Sequence, residues 1–408
     1  MNRFFILTLA AAMAAAGLCR AADAGTVTVT ASGACPGPLP VVVDLPAGTT
    51  LPEIGAVSLR PDDGSPLPAQ ITDDAGARRL HFVIPDGLAA GARRQWRVEP
   101  AGAGQAAFAS STKDGAAGLA FDGKPLAAWQ WQPVAKPKGG DKFAISAFLH
   151  PLRTTSGFVV TALQPDDHLH HLGVWWPWKL VEVRGQSYIA WEMQQGQGKH
   201  FSRTPPAILT GSACARLVAQ AFTEIHPKNG PPQVVIDEEA TMTAWRPSGD
   251  TWMLDVRVRQ KARGTPVILP AYRYSGFSYR ATTAWTKDNS QLTTSEGHDR
   301  DHANGQPARW ALVTGKADAG TASVLILSAA GARGTPERLR VWGSKDQNGM
   351  PFVNFNPVQE KPLPLDDAHP ATSDRSYRLV IADRALTAAD AEAYWQAFAK
   401  PPQAAFAP

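Results

Sequence analysis

Short apolar runs separated by turn-forming residues dominate the first hundred positions of the chain. These runs are rich in valine or alternate apolar with polar residues, and they occupy positions 26–30, 41–45, 79–84 and 95–99. A period of two is typical of half-buried strands. Turn-forming sequences such as PDDGSP and PDGLAAG divide the runs. The pattern predicts a small β-domain at the N terminus.

The rest of the chain continues the strand pattern and ends in one helix. Residues 251–260 alternate apolar with charged positions, which predicts a strand with one solvated face, while the apolar run at 323–328 predicts a strand buried on both faces. A T-x-x-D sequence at 387–390 predicts a helix start, and it precedes four apolar residues at helical spacing: Ala391, Tyr394, Trp395 and Phe398. One helix among so many strands predicts a mainly β protein built as a large antiparallel sandwich.

The first 24 residues have the composition of a cleavable signal peptide. They combine Arg3, an apolar run at 4–18 and small residues at Ala22 and Ala24. A lipid anchor on Cys19 is the alternative, but Leu18 stands where a lipobox requires a small residue. The sequence therefore predicts a periplasmic or secreted protein.

A second change of composition marks a domain boundary. Residues 101–118 are small, polar and glycine-rich, as inter-domain linkers are. We place the boundary near residue 112, with a small N-terminal β-domain at 25–112 and a larger domain, which carries the candidate site, at 113–400.

Charge and cysteine content narrow the class of protein. The net charge is +4 over 408 residues, and the lysines and arginines are scattered, which argues against a nucleic-acid partner. After the signal, no apolar segment is long enough to predict a membrane span. Cys35 and Cys214 are too few for a disulfide framework, and they either pair or stay buried.

Histidines are concentrated in two segments, and the first is PDDHLHHLGVWWPW at 165–178. Asp167 precedes His168, His170 and His171. If this stretch is extended, His168 and His170 project to one face and Asp167 and His171 to the other.

The second segment, TTSEGHDRDHANGQPARW at 293–310, is a glycine-punctuated loop with many ionisable side chains: Glu296, His298, Arg300, His302 and Arg309. If the two segments meet, imidazoles would carry protons, carboxylates would orient them, and guanidinium groups would hold a substrate anion or hydroxyls. The alternative is that these residues only form turns and that the two loops lie apart.

A bound metal is a competing explanation for the histidines. H-x-H with nearby carboxylates is a ligand-rich set, but the chain lacks H-E-x-x-H and C-x-x-C. We therefore predict no cofactor, with a divalent metal ion as the alternative.

Aromatic and arginine side chains supply candidate contacts for a ligand. Trp175 and Trp176 adjoin the histidines, and each either stacks on a sugar ring or fills the core. Trp176 is the stronger candidate for ligand contact and Trp175 for core. Arg280, near the end of YRYSGFSYRA, either holds a carboxylate or is a solvated strand end.

Five segments together resemble the PmoA-like bacterial family, named after a methane oxygenase subunit: HPLRTTSGFVVT, DHLHHLGVWW, YSGFSYRAT, TTSEG and NGQPARW. The resemblance covers most of 115–400. The methane oxygenase label fits poorly, because such a subunit needs several spanning helices. The family is similar in architecture to galactose-mutarotase-like β-supersandwiches, which include sugar epimerases, polysaccharide lyases and hydrolase domains. It usually shows H-H-R-G-L-W where this chain has Leu172 after the two histidines, so one arginine contact is absent.

The resemblance implies a large antiparallel β-supersandwich, the strand pattern before it predicts a small β-sandwich domain, and the residues favour a carbohydrate-active enzyme. His170 or His171 would act as general acid or base, with Glu296 or His298 as its partner. Arg300 or Arg309 would hold an anion. The remaining candidate substrate contacts are Asp167, His168, Trp176, Arg280 and His302. β-Elimination, hydrolysis and epimerisation stay open, and a non-catalytic glycan-binding protein or a metal-binding periplasmic protein is the alternative.

Overall fold

A computed structural model describes residues 25–49, 51, 55–74, 76–101, 107–136, 138–329, 336–366 and 374–408. The predicted signal at 1–24 lies outside these residues. The strands are β1 (Thr26–Thr30), β2 (Leu39–Asp44), β3 (Gly55–Pro61), β4 (Leu67–Asp74), β5 (Ala77–Ile84), β6 (Arg93–Pro100), β7 (Phe108–Lys113), β8 (Ala116–Phe121), β9 (Lys124–Gln130), β10 (Phe148–Leu152), β11 (Val174–Trp175), β12 (Leu180–Val183), β13 (Gln186–Ile189), β14 (Gly198–Ser202), β15 (Ala207–Thr210), β16 (Cys214–Ile225), β17 (Gln233–Ser248), β18 (Thr251–Ala262), β19 (Val267–Leu269), β20 (Phe277–Arg280), β21 (Ser290–Thr294), β22 (Trp310–Ala317), β23 (Gly320–Ser328), β24 (Arg338–Val341), β25 (Phe352–Asn356), β26 (Leu363–Leu365), β27 (Asp374–Ala382) and β28 (Gln403–Ala407). The helix α1 spans Ala388–Ala399.

The N-terminal strands form one seven-stranded antiparallel sheet in the order β2-β5-β4-β3-β6-β1-β28. Its apolar side chains, among them Val29, Phe82 and Trp96, pack into a core of their own. All four runs predicted as strands lie within this sheet. The last strand, β28, pairs with β1, so the end of the chain completes the N-terminal domain.

The larger unit is a sandwich of two antiparallel sheets, as the sequence predicts for the fold class. One sheet has the order β24-β25-β20-β11-β10-β9-β8-β7, and the other runs β14-β16-β17-β18-β27-β23-β22-β21 with β15 beside β16. Alternate residues of long strands such as β18 and β27 face the first sheet across a shared apolar core. A four-stranded sheet, β13-β12-β19-β26, packs at one end.

The structure corrects the predicted linker. Residues 108–113 and 116–121 form β7 and β8, which pair with each other in the eight-stranded sheet. The apolar–polar alternation of these two strands is hard to recognise, because many of their residues are alanine, glycine or serine, which are also common in linkers. Strand β7 belongs with the sandwich, so the boundary lies before residue 108 rather than near 112.

The outer face of the second sheet is covered by α1 and by the N-terminal sheet. The predicted helix is confirmed: Thr387 and Asp390 form a capping box, and Ala391 and Tyr394 are buried against the sandwich. Cys35 and Cys214 are both free and buried. In the part of the chain described, no helix is long and apolar enough to cross a membrane.

Candidate functional site

The first histidine segment folds as two consecutive turns, so the extended conformation considered for this segment does not form. The amide of His168 donates to the carbonyl of Pro165 at 2.9 Å, and the amide of His171 donates to the carbonyl of His168 at 3.0 Å. Because the chain turns, the three imidazoles lie together on the outer side of the eight-stranded sheet. Their ring centroids are 4.8 to 5.4 Å apart. We call His168, His170 and His171 the histidine cluster.

Gly173 carries the chain from the histidine cluster into β11. Its φ is +69°, and a Cβ at this position would lie 2.5 Å from the carbonyl oxygen of Leu149. Only glycine combines this backbone conformation with so close an approach. The conformation of the histidine loop therefore depends on Gly173.

We expect Gly173→Ala to destabilise the protein more than Gly185→Ala. Gly185 has a similar φ of +76° with no atom near the added Cβ, so its replacement should lower the free energy of unfolding by about 1–2 kcal/mol. Gly173→Ala adds overpacking of about 1–3 kcal/mol to the same backbone term. Urea unfolding of both variants measures the difference, and equal values would contradict the steric argument.

Asp167 links the histidine cluster to Arg280. Nη2 of Arg280 donates to both carboxylate oxygens of Asp167, at 3.0 and 2.8 Å. Oδ2 of Asp167 lies 3.0 Å from Nδ1 of His168. Burial by itself raises the pKa of Asp167, but the hydrogen bond to His168 and the charge of Arg280 outweigh it and leave that pKa below its ordinary value. An ionised Asp167 therefore accepts a hydrogen bond from Nδ1–H of His168, and in this tautomer Nε2 carries the free lone pair.

The side chain of Arg280 is buried. One of its two interpretations from sequence, a solvated strand end, is therefore wrong. Its side chain is 0 % exposed and lies 4.5 Å from the ring centroid of Trp342. Its Nε and Nη1 atoms find no hydrogen-bond acceptor among the described residues. The carboxylate that it holds is the protein's own Asp167. Arg280 thus positions Asp167, and through it His168.

The other two histidines differ in access. His171 is 1 % exposed and packs between Trp342 and Phe352, so it cannot touch a substrate in this conformation. His170 is half-buried. Burial lowers its pKa to about 4, although the charge of Glu192 acts in the opposite direction. Glu192 pairs with Nζ of Lys179 at 2.5 Å, which places one carboxylate and one ammonium group near His170.

Buried imidazoles should make the protein lose stability below pH 6.5. Burial is the largest cause that lowers the pKa of His81, His150 and His170 from 6.5 to about 4, and it also lowers the pKa of His171 well below 6.5. The unfolded chain takes up these protons near pH 6.5 and the folded chain does not, so stability is complete above that pH and falls as the pH approaches 4. At pH 5 each imidazole whose pKa falls to about 4 on folding lowers the free energy of unfolding by about 2 kcal/mol.

Urea unfolding at pH 7.5 and pH 5 tests this dependence. Replacing His150 with glutamine removes one of the buried imidazoles, so the difference in unfolding free energy between the two pH values should shrink by about 2 kcal/mol. Any packing that the glutamine variant loses is lost at both pH values, so it cancels in this difference. Equal stability of the wild type at pH 7.5 and pH 5 would refute the prediction.

One of the two tryptophan assignments is wrong. Trp176 is 1 % exposed, stacks on Trp129 and Phe277 inside the sandwich, and donates from Nε1 to Glu238, so it is not a ligand platform. Trp175 lies on the outer side, with its ring centroid 5.3 Å from that of His171. It too is buried and supports the histidine cluster without presenting a surface.

The second histidine segment makes its contacts away from the histidine cluster, so the hypothesis of one shared site fails. Arg309 pairs with Glu392 of α1 at 3.2 Å and lies 3.7 Å from Glu296. His302 is exposed and pairs with Asp299 at 2.7 Å, and His298 is half-buried in the turn after β21. These contacts place Glu296 and Arg309 beside the helix rather than beside the imidazoles.

Arg300 is a structural residue and not an anion clamp. It is 8 % exposed, and its guanidinium donates to the backbone carbonyls of Gly349 and Ser290. The neighbouring Asp301 accepts from the amide of Ser344 at 2.6 Å. The second segment therefore braces the loop at 342–350, which begins with Trp342 and contributes indirectly to the site.

Three residues near the histidines were not among the sequence candidates: Lys179, Glu192 and Trp342. Trp342 opens the amide-rich stretch WGSKDQNG, and Glu192 directly follows Trp191. An isolated Trp before a turn is a weak signal, and the Lys179–Glu192 pair spans 13 residues in sequence. Among the described residues, no three His, Cys, Asp or Glu side chains are placed to hold a metal ion together.

Comparison with known sequences gives a family but no activity. None of the curated proteins shows significant sequence similarity to this chain. A family model described as a family of unknown function, DUF6807, matches residues 116–396, which is more than half of the 408 residues. The matched range begins at β8 and ends within α1, so it covers the histidine cluster and all strands of the sandwich except β7. The chain belongs to the DUF6807 family.

Proposed function

We propose that the histidine cluster is the acid–base site of a secreted carbohydrate-active enzyme that cleaves a uronic-acid-containing glycan by β-elimination. The observation that carries the proposal is the chain of contacts from Arg280 through Asp167 to His168. A carboxylate held ionised by a buried guanidinium, and bonded to one nitrogen of a partly exposed imidazole, makes the other nitrogen a positioned base. His168 therefore takes the role first considered for His170 or His171.

In this mechanism Nε2 of His168 removes the proton from the carbon next to the substrate carboxylate. The C–H electrons form the new double bond as the glycosidic C–O bond breaks, and the proton held by His168 returns to the departing oxygen. The carboxylate of Asp167 stabilises the imidazolium between these steps. Lys179, beside His170, supplies a positive charge on the side where the enolate develops negative charge.

The burial of the tryptophans favours an enzyme over a glycan-binding module. Trp175, Trp191 and Trp342 are each at most 3 % exposed, so a sugar would not find an open aromatic face there. It would instead meet His168, His170 and Glu192, which are half-buried. Polar groups that titrate and face a ligand are more typical of catalysis than of stacking. Hydrolysis and epimerisation at the same residues are the alternative reactions within this proposal. The resemblance to PmoA-like proteins and export by the N-terminal signal are also part of what we propose.

The experiment is an incubation of the purified protein with neutral and uronic-acid polysaccharides. We expect absorbance at about 235 nm to rise together with new reducing ends on the uronic-acid substrates only. New ends without absorbance would replace elimination with hydrolysis. No change in either signal on any substrate would contradict an elimination enzyme.

A further inference from the structure

A pocket lies between the N-terminal sheet and the outer face of the nine-stranded sheet. The histidine cluster lies on the outer side of the other, eight-stranded sheet. The pocket has a volume of about 260 Å³. Strands β4 and β5 form one wall, β16, β17 and β18 form the other, and Phe398 of α1 borders it. We call it the interdomain cleft.

The interdomain cleft is basic. Its walls include Arg79 from the N-terminal sheet and Arg216 and Arg257 from the sandwich. Burial lowers the pKa of Arg216, and the nearby charges of Arg259 and Arg257 lower it further, against the opposing effect of Glu239. Of Arg259 and Arg257, only Arg257 lines the cleft, and an anion between Arg257 and Arg216 would relieve their repulsion.

The acidic groups at the cleft do not cancel this charge. Asp255 is occupied, because both of its oxygens accept from Arg378 and one also accepts from Nε1 of Trp245 at 2.8 Å. Arg79 pairs with Asp44, which is 82 % exposed, and Arg257 pairs with Asp374 at 2.8 Å. The Arg79–Asp44 pair is solvent-exposed and therefore weak. Arg257 donates to Asp374 from both Nε and Nη2, so it reaches a ligand through Nη1.

His81 is the observation that points to a ligand. It lines the cleft, is 7 % exposed and has an Nδ1 atom without a hydrogen-bond partner among the described residues. Its Nε2 lies 2.9 Å from the hydroxyl of Thr72. Burial and then the charge of Arg79 lower the pKa of His81 to about 4, so the ring is neutral. A buried polar atom without a partner is unfavourable. Because Nδ1 is closed off from solvent in this conformation, a ligand hydroxyl satisfies it once the ring turns toward the cleft.

The rest of the lining indicates the kind of molecule. Thr72, Thr241 and Thr243 add hydroxyl groups, whereas Val42 and Trp245 add an apolar surface. Val42 is 42 % exposed, which is unusual for a large apolar residue in this protein. A ligand with a carbon skeleton would cover Val42, which an inorganic anion would not do. The volume is below the usual range for drug-sized ligands and suits a single small unit.

We infer that the interdomain cleft binds a small hydroxylated carboxylate of the size of one uronic acid residue. The carboxylate lies among the arginines, one hydroxyl meets Nδ1 of His81, and the C–H face of the ring rests on Val42 and Trp245. This site is separate from the histidine cluster and stands whether or not that cluster catalyses elimination.

Titration calorimetry of the full chain with sodium D-glucuronate tests the inference, with D-glucose as the neutral probe. We expect binding of glucuronate that weakens as salt is added, and no binding of glucose. Arg257→Gln should weaken the affinity at least about tenfold, because it removes a charged donor from the cleft. Thr243→Val should weaken it in the same direction with the charge unchanged.

Arg259→Gln is the matched control. Arg257 and Arg259 lie two residues apart on β18 and face the same side, each has an acidic partner, and their side chains are 53 % and 50 % exposed. Only Arg257 lines the cleft, so Arg259→Gln should leave the dissociation constant within about twofold. Equal effects of the two substitutions, equal binding of glucose, or no binding of glucuronate would overturn the inference. Loss of binding in His168→Ala would overturn it as well, since the ligand would then occupy the histidine cluster.

Discussion

Replacing His168 with alanine should abolish most of the turnover on a uronic-acid polysaccharide. The loss in kcat is expected to be about 10²- to 10⁴-fold, the usual contribution of a positioned general base. Because the ring is partly exposed and its nitrogen bonds only to Asp167, its removal should leave the fold intact. Initial rates followed through the double-bond absorbance measure the effect, and KM should change much less than kcat.

His226→Ala is the control for this prediction. His226 pairs with Glu224 at 2.9 Å, and the two side chains are 30 % and 13 % exposed. The corresponding values for His168 and Asp167 are 3.0 Å, 27 % and 13 %. The two pairs thus share a carboxylate partner, a similar distance and the exposure of both side chains. They differ in that only His168 belongs to the histidine cluster, and in that Glu224 contacts Nε2 of His226 while Nδ1 lies 3.1 Å from the carbonyl oxygen of Gly196. A similar loss of kcat in both variants, or full activity of His168→Ala, would exclude His168 as the base.

Asp167→Asn separates positioning from proton transfer. The amide keeps the size of the side chain but cannot hold the same ring tautomer or stabilise an imidazolium. It also leaves Arg280 as an unpaired buried charge. We expect kcat to fall while the base stays in place, and the pH profile of kcat to shift because the imidazolium has lost its carboxylate.

The mainly β class, several strands and the C-terminal helix could be predicted from sequence because their signals are local. Residues 26–30 and 387–398 carry their own period and their own caps, and the structure forms them where the pattern places them. The histidine segment carries no such decisive signal, since the alternation at 166–171 fits a strand as well as a turn. The turn is held by Gln164, whose side chain accepts from the amide of Lys136 and donates to the carbonyl of Phe143. Those contacts are remote in sequence.

The errors in the candidate site have the same physical origin. Trp175 and Trp176 are adjacent and must point to opposite faces of the sheet, but the sequence does not tell which face is the sandwich core. Arg300 and Arg309 have acceptors that lie 49 and 83 residues further along the chain. The sequence therefore identified residues of the correct type. It did not identify their partners, because these come close only when the two sheets pack together. Arg280 and Asp167, 113 residues apart, were both candidates and proved to be in contact.

A buried carboxylate inside the sandwich provides the largest expected effect on stability. Glu238 is 2 % exposed and accepts hydrogen bonds at 2.6 Å from Nε1 of Trp176 and from Nε2 of Gln260. His200 lies 3.4 Å away without the alignment of a hydrogen bond, so its contribution is electrostatic. Burial raises the pKa of Glu238, but His200 and the two donors lower it more, and the folded-state pKa ends below its ordinary value. This carboxylate ties Trp176 to the opposite sheet.

Glu238→Ala should lower the free energy of unfolding by about 3–5 kcal/mol, because it leaves buried donors without an acceptor. The adjacent Glu239→Ala is the control: Glu239 is 35 % exposed and pairs with Arg259 on the outer face, so its loss should amount to about 0–1 kcal/mol. Since folding lowers the pKa of Glu238, its contribution is complete above the unfolded value of 4.5 and disappears as the pH falls through the folded value. Urea unfolding at pH 7.5 and pH 4 measures both effects. If the two alanine variants are equally stable at pH 7.5, the carboxylate does not hold the two sheets together.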